Sequence, residues 1–220
     1  MAEPTQVSEA EFHAADGVDD WRALFWGAKA LYRTTDFAEG ARFVARIAEL
    51  SADLGHSPQI DLRTDSVTVQ VITIGVGLSD RDLELARRIS LAAAELGLTP
   101  DPAAVQHVSI AVDVVGLEPV MDFWKAAMGY VRVGPDDILQ PDLIGPTMWF
   151  QDKAHVAPRN RIHVDLSVPH DVAEKRVEAV LAAGGRMLGD KHAPAWWSLV
   201  DPEGNVVDIC TWQGRDEPAG

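Results

Sequence analysis

Two histidines, His107 and His163, open stretches that read alike: His107-Val108-Ser109-Ile110-Ala111-Val112 and His163-Val164-Asp165-Leu166-Ser167-Val168. The offset is 163 − 107 = 56 residues, and without a gap it also lays Glu118 on Glu174 and Ala126-Ala127-Met128-Gly129 on Ala182-Ala183-Gly184-Gly185. Between residues 107 and 130 seven positions are identical to their counterparts. An imidazole carries protons near neutral pH and also ligates divalent metals. Two of them at equivalent places in a repeat are therefore the first candidates for chemistry. A repeat at fixed period means repeated supersecondary units, here strand, helix, glycine break and shorter strands. Two such units would pair their sheets around a shared cleft.

Strand parity indicates what faces that cleft. Val108, Ile110 and Val112 alternate with His107, Ser109, Ala111 and Asp113, while Ile162, Val164, Leu166 and Val168 alternate with His163, Asp165 and Ser167. Successive side chains of a strand point to opposite faces, so the apolar set packs on helices and each histidine falls on the other face. Asp201-Pro202-Glu203-Gly204-Asn205 reads as a turn, followed by a last strand from Val206 to Trp212 in which Asp208 shares a face with Val206 and Cys210. Under the gap-free repeat Asp152 is the twin of Asp208, since 208 − 56 = 152.

The first half has a different texture. Asp36 to Leu54 has apolar residues at helical spacing, with Asp36 placed to cap it, and Ser79 caps a second helix that carries Asp80 and Asp82 in its first turn. Val67, Val69 and Val71 make a strand of Ser66 to Ile74, and Leu24 to Arg33 is a further strand. The expected fold class is α+β: two helices on a small antiparallel sheet, then the repeated units. Leu98 to Ala104, with two prolines, reads as the linker, giving domains over residues 1–99 and 104–215.

Composition narrows the function classes. The charge balance is 19 − 34 = −15, and it is spread over both halves. A surface this negative disfavours phosphate backbones and anionic lipid, so neither nucleic acid nor membrane is an expected partner. No apolar run approaches the ~20 residues that span a bilayer, the first residues lack a signal-peptide layout, and the single Cys210 cannot form an internal disulfide. These features fit a cytoplasmic protein acting on small molecules. Phosphate-loop, dinucleotide and nucleophile-elbow motifs are absent.

Two family resemblances rest on these residues. Residues 104–212 resemble the vicinal oxygen chelate superfamily, the glyoxalase and bleomycin-resistance fold of paired βαβββ units. The carriers are His107-Val-Ser-Ile-Ala-Val, His163-Val-Asp-Leu and Asp201-Pro-Glu-Gly-Asn-Val-Val-Asp208. Metal enzymes of that superfamily draw ligands from the first, fourth, fifth and eighth strands. The resemblance thus implies a site of His107, His163 and Asp208 with Asp152 as a fourth ligand. Two neutral imidazoles and a carboxylate suit Fe(II), Mn(II), Zn or Ni with positions open for a chelating substrate. Trp149 and one of the pair Trp196-Trp197, taken as Trp197, are the aromatic residues expected to bind a planar ligand beside it.

Residues 8–97 resemble the pterin-4a-carbinolamine dehydratase family. The carriers are Trp21, Leu31-Tyr32-Arg33, Asp36-Phe37-Ala38-Glu39-Gly40-Ala41, Leu54-Gly55-His56-Ser57-Pro58 and Gly77-Leu78-Ser79-Asp80-Arg81-Asp82. The family removes water from a 4a-hydroxytetrahydropterin without a metal, using a His-His-Pro motif, a later Thr-His pair and an aspartate that opens the second helix. His56 matches the first histidine, Pro58 the proline and Asp82 the aspartate. Ser57 replaces the second histidine, and Thr73-Ile74 stands in place of Thr-His. Losing two of three imidazoles implies a weakened dehydratase site.

Three readings follow. The leading one is an enzyme or degenerate enzyme acting on a small heterocyclic or oxygenated metabolite, with a metal-dependent lyase, isomerase or dioxygenase type of cleft in the C-terminal domain. The second is a pterin dehydratase working through His56 and Asp82 with an accessory C-terminal domain. The third is a non-catalytic protein that sequesters a small ligand. Both resemblances imply a homo-oligomer.

Overall fold

The computed structural model describes residues 3–155, 162–200 and 206–215. They divide into two compact units, Met1–Gln106 and His107–Gly220. The proposed turn at Asp201-Pro202-Glu203-Gly204-Asn205 lies outside the described residues.

In the first unit a short helix α1 (Glu9–Ala14) starts at a capping box in which Ser8 and Glu11 satisfy each other's backbone N–H groups. Strands β1 (Arg22–Leu24) and β2 (Gly27–Arg33) form a hairpin. Helix α2 (Phe37–Leu54) begins where Asp36 accepts from the Glu39 N–H at 2.7 Å and ends at Gly55, whose φ of 61° is the left-handed turn that stops a helix. Strands β3 (Gln59–Leu62) and β4 (Ser66–Val71) follow, then helix α3 (Asp80–Glu95) and strand β5 (Thr99–Pro100).

The antiparallel sheet runs β1-β2-β4-β3, with β5 pairing to β2. Part of the proline-rich stretch read as a linker is thus a strand of this first sheet. Val67, Val69 and Val71 share a core with Tyr32, Phe43, Ile47, Leu85 and Ile89, all fully buried. At Gly40 a Cβ would come within 2.5 Å of a Leu62 methyl carbon, so a larger residue there would make the Leu62 side chain shift.

The second unit is one eight-stranded sheet. The first repeat supplies β6 (His107–Val114), α4 (Leu117–Met128), β7 (Val131–Arg132), β8 (Asp137–Leu139) and β9 (Thr147–Asp152). The second supplies β10 (Ile162–Ser167), α5 (Ala173–Ala182), β11 (Arg186–Gly189), β12 (Trp196–Val200) and β13 (Val206–Cys210). The strand order is β11-β12-β13-β10-β6-β9-β8-β7, so the repeats join through the antiparallel β6/β10 pair.

Each repeat has its own apolar core on the helix side of the sheet. Val112, Met121, Met148 and Phe150 belong to one, and Val168, Val177, Leu199 and Ile209 to the other. Alternation along each strand leaves a polar stripe on the opposite face, and the candidate site lies there.

Candidate functional site

Three side chains on this polar face converge. His163 and Asp165 are two residues apart on β10 and so share a face. Asp208 on β13 lies directly opposite Asp165 in the parallel β10/β13 pair. His163 Nε2 is 3.3 Å from Asp165 Oδ1 and 3.9 Å from Asp208 Oδ2. All three are largely buried, with side-chain exposures of 14% for His163, 5% for Asp165 and 14% for Asp208. One ligand atom from each falls within 4.8 Å of the others, the only such His/Cys/Asp/Glu group found among the described residues.

The electrostatics of the cluster call for a positive charge. The Asp165 carboxylate holds the His163 imidazolium, raising its pKa above the ordinary value, with Asp208 and Asp113 adding to the effect against the opposing cost of burial. Burial pushes the Asp208 carboxyl up, partly offset by a hydrogen bond from Ser198. Asp165 Oδ1 and Asp208 Oδ1 are both buried: the first has only the His163 Nε2 contact at 3.3 Å, and the second accepts no hydrogen bond. Two facing buried carboxylates are costly in a protein interior unless a cation or protons compensate them, and the His163 imidazolium compensates only one. The donor set and the buried carboxylate oxygens fit a divalent metal that takes the place of the His163 proton.

Asp165 is a member that the sequence-derived set lacked, and two members of that set stand elsewhere. His107 pairs with Ser167 across β6/β10, whereas His163 pairs with Ala111. The two histidines share a face but sit four residues apart along the antiparallel pair, ~13 Å at the usual rise of a strand. His107 Nε2 instead bonds Thr147 Oγ1 at 3.1 Å, and Thr147 bonds Ser109 Oγ at 2.6 Å. Asp152 pairs with Val114, which places it on the helix side of the sheet. Its Oδ1 accepts from the Gly116 N–H at 3.3 Å, where α4 begins without a side-chain cap of its own.

The aromatic candidates part in the same way. Trp149 lies on the polar face, and its indole N–H donates to Asp165 Oδ2 at 2.6 Å. Trp197 pairs with Ile209 and packs into the α5-side core, so it cannot line this face. The residue of that pair with the opposite parity, Trp196, stacks on His192 with centroids 4.1 Å apart. Cys210 is buried, and desolvation pushes its thiol pKa far up, as suits an inert core thiol.

In the first unit the structure brings His56 and Asp82 together. His56 follows the left-handed stop of α2, and Asp82 is the third residue of α3. His56 Nε2 lies 2.7 Å from Asp82 Oδ1, with the aspartate fully buried and the imidazole 15% exposed. Asp82 Oδ2 accepts from Thr73 Oγ1 at 2.7 Å, from the Ser79 N–H at 2.9 Å and from Ser79 Oγ at 2.6 Å. An ionised carboxylate only accepts, so beside an ionised Asp82 the His56 Nε2 is the donor in this contact and Nδ1 is the ring nitrogen facing away from it. Ser57 is exposed, and Ile74, just beyond Thr73, is 52% exposed.

Comparisons with known proteins divide the chain in two. A family model described as Pterin 4 alpha carbinolamine dehydratase matches residues 4–92, and one described as a Glyoxalase-like domain matches residues 109–210. Two curated proteins of Prochlorococcus marinus, strains MIT 9303 and MIT 9313, are named for pterin-4-alpha-carbinolamine dehydratase. Each is 33% identical over 78 residues, or 35% of this chain and 81% of the relative.

Among solved structures, a transcriptional coactivator/pterin dehydratase from Brucella melitensis is 22% identical with a TM-score of 0.38, covering 40% of this chain and 99% of that one. A glyoxalase/bleomycin resistance protein/dioxygenase superfamily member from Vibrio splendidus 12B01 is 13% identical with a TM-score of 0.35, covering 49% and 99%. The chain is a two-domain α+β protein with a separate candidate site in each domain. It belongs to the pterin-4-alpha-carbinolamine dehydratase family through its N-terminal domain, and its C-terminal domain is glyoxalase-like.

Proposed function

We propose that the protein is an enzyme acting on a small oxygenated metabolite, and that its glyoxalase-like domain holds a divalent cation on His163, Asp165 and Asp208. The observation that carries this reading is the convergence of His163, Asp165 and Asp208, largely buried and with one ligand atom of each within 4.8 Å of the others. One imidazole and two carboxylates suit Mn(II) or Fe(II), with Zn and Ni as the softer alternatives. When bound, the cation would supply Lewis acidity to polarise a substrate oxygen. The chain's own contribution is to hold the ligands on three adjacent positions of a rigid sheet and to keep solvent from the carboxylates.

Elemental analysis of the purified protein, beside Asp165→Asn and His163→Ala variants, tests this. Near-stoichiometric metal in the wild type and its loss in both variants is expected. Wild-type protein that stays metal-free after reconstitution with Mn(II), Fe(II), Zn and Ni would overturn it.

A second reading has its own support in the 2.7 Å His56–Asp82 contact and in the family of the N-terminal domain. Here His56, oriented by Asp82, exchanges a proton through Nδ1 as a 4a-hydroxytetrahydropterin loses water. Its test is the dehydration rate with wild type and with His56→Ala. A rate above the spontaneous one that the variant abolishes supports this reading, and a wild-type rate equal to the spontaneous one rejects it.

A further inference from the structure

The Asp165 carboxylate accepts a hydrogen bond from a residue two strands away. Trp149 stands on β9 and pairs with Ala111 of β6, which in turn pairs with His163 of β10. The indole therefore has to cross β6, and β9 and β10 are ~10 Å apart at the usual interstrand spacing. Ala111 makes that crossing feasible, because its methyl group leaves the space above β6 open to the ring.

At the end of this reach the indole N–H meets Asp165 Oδ2 at 2.6 Å, a short charge-assisted bond. An indole N–H can only donate, so it engages Oδ2 and leaves the other oxygen, Oδ1, facing His163 Nε2 at 3.3 Å. With one oxygen held, rotating the carboxylate away from this orientation would break the indole bond.

We propose that Trp149 is a positioning residue that fixes the orientation of the Asp165 carboxylate, sets the affinity of the site for a divalent cation, and senses its occupancy through the indole N–H. This rests on the cation reading above. Partners of this kind to a ligating group commonly contribute 10–100-fold in metal affinity. A ring held only for packing would contribute to stability but would not respond to the ion.

The test combines one variant with one measurement on the unaltered protein. Trp149→Phe keeps an aromatic body and removes the N–H, and Trp197→Phe, in the core on the other face, is the control. Calorimetric titration with Mn(II) is expected to show affinity reduced roughly 10–100-fold in Trp149→Phe and unchanged in Trp197→Phe. Unchanged affinity in a folded Trp149→Phe overturns the proposal. In wild-type protein with 15N-labelled indoles, Zn(II) is expected to displace one of the seven tryptophan Nε1–H resonances. That resonance should be the one missing from Trp149→Phe, and no displacement in Zn-loaded protein also overturns the proposal, even if the variant does not fold. Failure of the underlying cation reading looks different: wild type and control then bind neither ion.

Discussion

His56 Nε2 and Asp82 Oδ1 are 2.7 Å apart, joining the end of α2 to the start of α3. The same carboxylate receives Thr73 and both donors of Ser79, so one buried anion ties together two helices and the segment after β4. Asparagine at this position keeps the shape but turns one acceptor into a donor facing groups that also donate. Asp82→Asn is expected to destabilise the protein by roughly 1–3 kcal/mol, the range for stranding buried hydrogen-bonding groups. Urea unfolding of the variant beside wild type measures this, and an unchanged midpoint would show that the network contributes little.

The two missing imidazoles of the dehydratase pattern can be put back. Ser57 and Ile74 are both exposed, so histidine fits at either position without repacking the core. If the His56–Asp82 pair is a working remnant, the double variant Ser57→His, Ile74→His should dehydrate a 4a-hydroxytetrahydropterin at least roughly tenfold faster than wild type, a modest share of what positioned acids and bases provide. Stopped-flow absorbance follows the reaction, and no gain would mean that the pocket has lost more than its imidazoles.

The positions of His107 and Asp152 lead to a prediction opposite to that for Asp165. His107 bonds Thr147 and Asp152 receives the Gly116 N–H, both away from the His163 cluster. His107→Ala and Asp152→Asn should therefore retain the wild-type metal content by elemental analysis. Addition of Mn(II) at 100 times its dissociation constant should stabilise wild type and both variants by about 2.7 kcal/mol, and should leave Asp165→Asn unaffected. A metal-free His107→Ala protein would restore the two-imidazole site.

Much of the architecture could be read from local patterns. Asp36 and Ser79 announce their helices because an N-cap is a nearest-neighbour event, and the repeat at 56 residues announces two similar units. What could not be read is how the repeats meet. Ser109 and Asp165, exactly one repeat apart in sequence, are directly opposed across β6 and β10, so the pseudo-twofold axis passes between them. An antiparallel junction about that axis sends residues equivalent in sequence to opposite ends, which separates His107 from His163 and brings Asp165 to the middle.

Asp152 fails for a related reason. By strand pairing, the counterpart of Asp208 beside Asp165 is Thr147 beside Ser109, and 152 − 147 = 5 residues is an odd shift that reverses the face. Asp165 itself was visible on the polar side of its strand. Only the register with β13 shows that it meets Asp208.

Asp137, opposite Trp149 in the β8/β9 pair, gives the protein a pH dependence through a carboxyl that is not one of the proposed ligands. Burial, with the Asp136 charge adding to it, raises its pKa from 3.8 to about 6. Because the folded-state value is the higher one, the folded protein binds more protons than the unfolded chain between these limits. The resulting stabilisation is present in full below pH 4 and is lost as the pH rises through 6. His163 is raised for a different reason and acts in the same direction near neutrality. Asparagine at position 137 removes the ionisation, so Asp137→Asn and wild type should be equally stable below pH 4. At pH 8 the variant should be more stable by about 1–2 kcal/mol after allowance for solvent screening. Denaturant midpoints at the two pH values decide it, and a difference that does not change with pH would mean that Asp137 ionises normally in the folded protein.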